Sequence, residues 1–197
     1  MNDDLLKALL PLSTPPDAPG WNHADMSGLL GTAERRPAAV LLALRDEAAP
    51  RLVLTVRTDN LQAHAGQVAL PGGSMDPGDA DALATALRES EEEIGLDRAL
   101  VTPLGYLDNF ETISGYRITP VVARIAEHAR LKAAPDEVAE VFEVPLAFFL
   151  DPASLRRYTM EFRGHRREMV EFVHGGHRVW GATAAILLNL LKRMGRA

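Results

Sequence analysis

Short apolar runs separated by polar, glycine- or proline-marked breaks set the rhythm of this chain. Residues 38–44 (AAVLLAL), preceded by Arg35, Arg36 and Pro37, read as a buried strand. A polar turn over 46–50 and a second strand over 51–57 follow, which together predict a hairpin. Residues 67–70 predict a short strand, and 101–107 and 118–125 predict strands through their β-branched enrichment, with a polar loop over 108–116. A Pro- and acid-rich loop over 133–140 leads into a strand over 141–146 and a short helix over 147–150. Residues 158–162 and 168–174 alternate around Gly164 as a hairpin would, and 180–194 form an apolar closing helix. At the N-terminus Asp3 or Asp4 can cap a helix over 5–10, after which Pro11, Pro15, Pro16, Pro19 and Gly20 break regular structure; residues 26–30 are ambiguous. The order predicts an α/β fold, a mixed sheet with helices on both sides. Residues 1–34 form a helix and Pro-rich arm, and 35–197 the main domain.

One helical stripe differs from the rest. Residues 79–95 predict a helix that opens near Asp79 or Asp81 and stops at Gly95, a fit for a helix C-cap. At about 100° per residue, Glu89, Glu92 and Glu93 share roughly a third of the circumference, while Leu83, Leu87, Ser90 and Ile94 occupy another arc. Leu83, Leu87 and Ile94 are thus expected in the core and three carboxylates outside it. Glu91 points away from Glu89, toward the surface. Like charges three and four residues apart repel, so a positive group is expected among them, and a hard divalent cation such as Mg²⁺ suits carboxylate oxygens shared with substrate phosphates. An isolated Glu-rich face usually means only a solvated surface. Here it follows Pro71, Gly72 and Gly73, and tandem glycines supply positive φ and close backbone approach just before the helix.

Composition narrows the picture. A chain of 197 residues with 47% hydrophobic content suffices for one domain with a sizeable core. Its net charge of −6 argues against non-specific nucleic-acid binding, though local cations such as Arg35, Arg36, Arg57 or Lys132 can still meet phosphate. With no cysteine there is no thiolate nucleophile and no Cys-type zinc site. The acidic N-terminus lacks the features of a signal peptide, and no apolar stretch is long enough to span a membrane, so a soluble cytoplasmic protein is expected. P-loop, H-E-x-x-H and G-x-S-x-G motifs are missing.

Gly73, Arg88, Glu89, Glu92, Glu93, Gly95 and Leu96 resemble the Nudix box, G-x5-E-x7-R-E-U-x-E-E-x-G-U. Ser90 stands where a bulky aliphatic is usual, and Asp79 takes the place of the first glutamate only if one residue is inserted. Upstream, residues 54–73 (LTVRTDNLQAHAGQVALPGG) resemble the signature LLTxRSxxLxxHxGxxxFPGG of the coenzyme A diphosphatases in that superfamily. Thr55, Arg57, Leu61, His64, Gly66, Pro71, Gly72 and Gly73 fall in place, with Thr58 for Ser and Leu70 for Phe. The resemblance implies an α/β/α sandwich and Mg²⁺- or Mn²⁺-dependent hydrolysis of coenzyme A to 3′,5′-ADP and 4′-phosphopantetheine. It places Glu89 and Glu93 as metal ligands and Glu92 beside them as a third ligand or as a partner of Arg88, with Arg88 also in catalysis. Arg57, His64, Gly66, Gly72 and Gly73 would meet substrate. Arg57 could equally snorkel from a strand end, and His64 could be structural or orient the glycine loop. Glu92, Glu137, Glu140 and Glu111 remain open as general base or further ligand. His174 and His177 flank two glycines, which suits a turn better than a metal site. The oligomeric state, monomer or homodimer, stays open. The alternatives are another nucleoside diphosphate derivative such as ADP-ribose or NADH as substrate, or a Nudix-fold module that binds a nucleotide without turnover.

Overall fold

Alternate residues of the strand Arg36–Arg45 (β1) belong to different cores: Ala39, Leu41 and Ala43 face one cluster, Leu42 and Leu44 the other. A strand buried on both faces must lie mid-sheet between two layers. In the computed structural model, which describes residues 3–26, 29, 34–58, 66–162 and 164–197, β1 is that strand. It pairs in parallel along its whole length with Tyr116–Ile125 (β7) and closes the expected hairpin with Arg51–Arg57 (β2).

Val68–Ala69 (β3) and Val138–Pro145 (β8) both pair with β2. Gly72–Ser74 (β4) pairs with β1, and Val101–Tyr106 (β5) and Phe110–Glu111 (β6) pair with β7. The result is a mixed eight-stranded sheet among the described residues. One face carries the helix Ala82–Ile94 (α3) over the Ala39, Leu41, Val121 and Ala123 cluster. The other carries Gly181–Arg193 (α5), whose Ala184, Ile186, Leu187, Leu190 and Leu191 meet Leu42, Leu52, Leu54 and Val122. The expected α/β/α sandwich is therefore the observed one.

A smaller sheet of Arg156–Phe162 (β9), His165–His174 (β10) and His177–Val179 (β11) lies beside α5. Gly175 and Gly176, at φ 56° and 86°, turn the second hairpin, so His174 and His177 flank a turn, as their spacing suggests. Three expectations shift. β8 starts three residues before the expected strand because its pairing with β2 continues to Val138, and β4 and β6 are short strands within expected loops. Among the described residues no helix is long and apolar enough to cross a membrane.

The N-terminal arm begins with Asp3–Ala8 (α1), whose Leu5 is buried in the α5-side core. Leu10 and Tyr106 exchange backbone hydrogen bonds of 2.8 and 2.9 Å at the outer edge of β5. Asn109 Nδ2 donates to the carbonyls of Pro16 and Ala18 at 2.9 and 2.8 Å. Around the short helix His23–Met26 (α2), Glu111 receives the Gly20 amide and lies 2.6 Å from His23 Nδ1. Burial pushes Glu111 up, but those contacts, with Arg35 nearby, outweigh it and leave its carboxyl below the usual range. Glu111 is 4% exposed and is committed to holding the arm, which removes it from the candidate bases.

Candidate active site

The acidic helix α3 starts where its cap dictates. Asp81, in extended conformation, accepts the Ala84 amide at 2.8 Å, and Gly95 at φ 62° closes the C-terminus. The buried face is Thr85, Ala86, Ser90, Glu93 and Ile94, while Leu83 and Leu87 are only half-buried. The expected face is thus rotated toward Glu93, with Ser90 and Ile94 common to both arcs. Ser90 is buried where an aliphatic would be usual because its hydroxyl donates to Ala86 O at 2.6 Å. Glu93, expected outside, is 3% exposed because two donors await its carboxylate below the helix.

Those donors come from the 54–73 stretch. The Gly72 amide donates to Glu93 Oε2 at 3.0 Å, and Arg57 Nη1 lies 3.5 Å from Oε1. Gly72 can do this because φ is 148° and because a β-carbon there would sit 2.3 Å from Ala39 O on β1. Gly73 has a different requirement. Its backbone is ordinary, but a β-carbon would meet both Glu89 oxygens at 2.6–2.7 Å. Of the two glycines, only the first has the positive φ expected of the pair. Gly66, at φ 66°, donates its amide to Arg57 O at 3.1 Å. His64 and Leu61 lie outside the described residues.

Arg88 is the hub of the opposite side. Its Nε and Nη2 reach Asp79 Oδ1 and Oδ2 at 3.0 and 2.9 Å, Nη1 reaches Glu89 Oε1 at 2.9 Å and Glu92 Oε2 at 3.0 Å, and Nη2 also reaches Ser74 O at 3.0 Å. The hydrogen bonds from Arg88 hold Asp79 well below the usual carboxylate range. Asp79 also accepts from the Asp76 amide and from Thr85 Oγ1, so it locks the glycine loop to the helix. Glu92 is mostly exposed and leans on Arg88; Glu91 pairs with Arg98 at the surface, as its position on the helix predicts.

Burial raises the pKa of Glu89 against the pull of Arg88, and the charges of Glu92 and Glu137 push the same way. Glu93 is pushed up to about 7, chiefly by burial, with the Gly72 amide and Arg57 opposing and Glu89 and Glu137 adding to the rise. Glu137 acts on both carboxylates, so the loop before β8 brings a fourth acid to the site. That loop is tied down by Ala134 N to Glu93 O at 2.9 Å and Thr58 N to Glu137 O at 3.0 Å. Glu140 instead lies 3.1 Å from His177 Nε2, and that ring stacks on Phe142. Sequence pattern alone ranked Glu137 no higher than Glu140; the backbone ties that separate them leave no mark in composition or spacing.

Among the described residues no three His, Asp or Glu side chains are gathered tightly enough to hold a metal ion as they stand. Arg88 and Arg57 supply the positive charge that the crowded carboxylates require. The donor set nevertheless fits a hard divalent cation: it is all carboxylate oxygen, and burial and like charge raise Glu89 and Glu93, which a bound cation would relieve. A consequence follows for chelator-treated protein. The folded chain keeps on Glu93 a proton that the unfolded chain gives up above 4.5, so stability should fall as pH rises from 4.5 to about 7. Thermal melts in EDTA across that range check this, and Glu93→Gln should flatten the slope. An unchanged slope in the variant would assign the effect elsewhere.

The family model described as NUDIX domain matches residues 34–169. The chain belongs to the Nudix family. Two curated relatives, both described as uncharacterized Nudix hydrolase NudL, support the same placement. That of Photorhabdus laumondii is 40% identical over 159 residues, 81% of this chain and 85% of its own length. That of Escherichia coli K12 is 39% identical over 164 residues, 83% of this chain and 85% of its own. Among solved structures, a MutT/nudix family protein from Enterococcus faecalis matches with TM-score 0.52 over 84% of this chain and 64% of that one; at 16% identity this is a likeness of fold alone. Nudix hydrolases act on small-molecule substrates and generally need divalent cations such as Mg²⁺ or Mn²⁺, and hydrolase activity is the assignment these matches support.

Proposed function

We propose that this Nudix protein hydrolyses the diphosphate of coenzyme A to 3′,5′-ADP and 4′-phosphopantetheine. The observation that carries the reading is that Arg57 and Gly72, both in the 54–73 signature, end on Glu93 of the acidic helix. Signature and helix thus form one site, so the stretch that resembles coenzyme A diphosphatases bears on the same carboxylates as the chemistry.

Hydrolysis forms a bond from water oxygen to phosphorus and breaks the bridging P–O bond, releasing two phosphate monoesters. Glu89 and Glu93 would hold a divalent cation, Mg²⁺ or Mn²⁺, with Glu92 or Glu137 adding donors. When bound, the cation supplies neutralisation of the phosphoryl charge and a water of lowered pKa. The chain's own part is preorganisation. Arg88 fixes Glu89 relative to the glycine loop, and the Gly72 amide fixes Glu93. Glu137 is the best-placed acid to take the proton of the attacking water, because Glu140 is engaged by His177 and Glu92 by Arg88.

Coenzyme A differs from ADP-ribose by its 3′-phosphate and pantetheine arm. A charge-assisted contact to that phosphate contributes about 1.5–3 kcal/mol, or roughly ten- to a hundredfold. Arg36 stacks on Tyr116 and Arg35 acts on Glu111 of the arm contact, which leaves Arg57 and Lys132 beside the acidic helix as the better candidates. The expected result is a kcat/KM for coenzyme A at least about tenfold above that for ADP-ribose, with dephospho-coenzyme A between them. Steady-state assays with Mg²⁺ or Mn²⁺ decide it. Equal or better turnover of ADP-ribose would move the assignment to another nucleoside diphosphate derivative, and no turnover of any diphosphate would favour a binding module.

A further inference from the structure

Two arginines serve the acidic helix, and they are held differently. Arg88 uses its fork on five acceptors at 2.9–3.0 Å. Arg57, with its side chain 26% exposed, has among the described residues one ion pair, the 3.5 Å approach of Nη1 to Glu93 Oε1. Its backbone, by contrast, is pinned. Arg57 ends β2, where the pairing with β8 steps from Val56–Glu140 to Arg57–Val138 and leaves Ala139 of β8 as the extra residue. The Arg57 amide donates to Gln67 O at 3.0 Å and its carbonyl accepts from Gly66 at 3.1 Å. The root of Arg57 is thus fixed, while its head is held by one long polar contact against five short ones for Arg88.

We infer that Arg57 is an exchangeable counterion: it neutralises Glu93 in the cation-free protein, and a divalent cation taken up by Glu89 and Glu93 displaces it toward an anionic ligand. This rests on the reading of Glu89 and Glu93 as cation ligands. Two positive charges at one carboxylate repel, and the doubly charged ion in contact with both glutamates outweighs a guanidinium at 3.5 Å. The Arg57 guanidinium is then released next to the Glu137 loop, which the neighbouring Thr58 amide holds through Glu137 O at 3.0 Å. Cation binding would present Arg57 to an anion, and an anion on Arg57 would free Glu93 for the cation. Such coupling is reciprocal by thermodynamic necessity.

Mn²⁺ titration of the full chain, followed by electron paramagnetic resonance with no nucleotide present, tests the exchange. Arg57→Met removes the competing cation, so Mn²⁺ should bind about fivefold tighter or more, whereas Arg57→Lys should stay near wild type. A merely damaged site would bind Mn²⁺ more weakly, and Arg57→Gln serves as a second neutral variant. Thermal unfolding adds an independent readout: Arg57→Met should be less stable than wild type in EDTA and equal to it in saturating Mn²⁺. Mn²⁺ affinity in the neutral variants at or below that of wild type, or one stability loss in both conditions, overturns the exchange. A wild-type chain that binds no Mn²⁺ overturns the cation reading itself and the exchange with it.

Discussion

Glu89→Gln and Glu93→Gln are each expected to lower turnover by at least about a hundredfold while leaving the domain folded. Glutamine keeps the shape of each side chain and one carbonyl oxygen. In the Glu93 variant that oxygen can still accept the Gly72 amide, now at 3.0 Å, so the glycine loop keeps its anchor. What disappears is the charge that would hold a cation against the phosphoryl oxygens. Stability should move the other way for Glu93→Gln in EDTA at neutral pH, since burial disfavours the ionised form there. Activity and stability are thereby separated in a single variant. Glu91→Gln is the control, because Glu91 is exposed and its ion pair among the described residues is with Arg98. Near wild-type turnover in both site variants at saturating Mg²⁺ would remove the helix from the mechanism.

The ends of that helix could be read from sequence because capping is local: Asp81 and Gly95 act on backbone groups within a few residues of themselves. The longer strands along the chain and the closing helix were legible for a related reason, since alternation and apolar runs report burial directly. The inside of the site was not. The helical wheel places Glu93 outside with Glu89 and Glu92, yet Arg57 and Gly72 draw it under the helix from 36 and 21 residues away in sequence. A buried carboxylate facing two donors cannot be told from a solvated one by spacing on its own element. Glu111 fails in the same way: its partners Gly20 and His23 come from the arm, 91 and 88 residues distant. The inserted residue between Gly73 and Arg88 left the role of Asp79 open, and the two-pronged contact from Arg88 supplies it.

Gly72→Ala and Gly73→Ala are expected to fail differently. At Gly72 a β-carbon would sit 2.3 Å from Ala39 O and 2.6 Å from Val40 Cα, with φ at 148°. Both obstacles are backbone atoms of the central strand β1, which is buried between two layers and cannot give way. Gly72→Ala should therefore cost at least about 3 kcal/mol of stability and lose activity with the folded fraction. At Gly73 the obstacle is the carboxylate of Glu89, the far end of a flexible side chain. The Glu89 head can swing aside, and Gly→Ala at an ordinary backbone gains about 0.4–1 kcal/mol in unfolded-state entropy, so the net stability change should stay within about 1 kcal/mol. Displacing a proposed cation ligand by about 1 Å is expected to cost on the order of a hundredfold in turnover. Thermal melts beside kcat for the two variants make the comparison. A folded Gly73→Ala protein with wild-type turnover would mean that the position of Glu89 does not matter to the reaction, and would withdraw it from the ligand set.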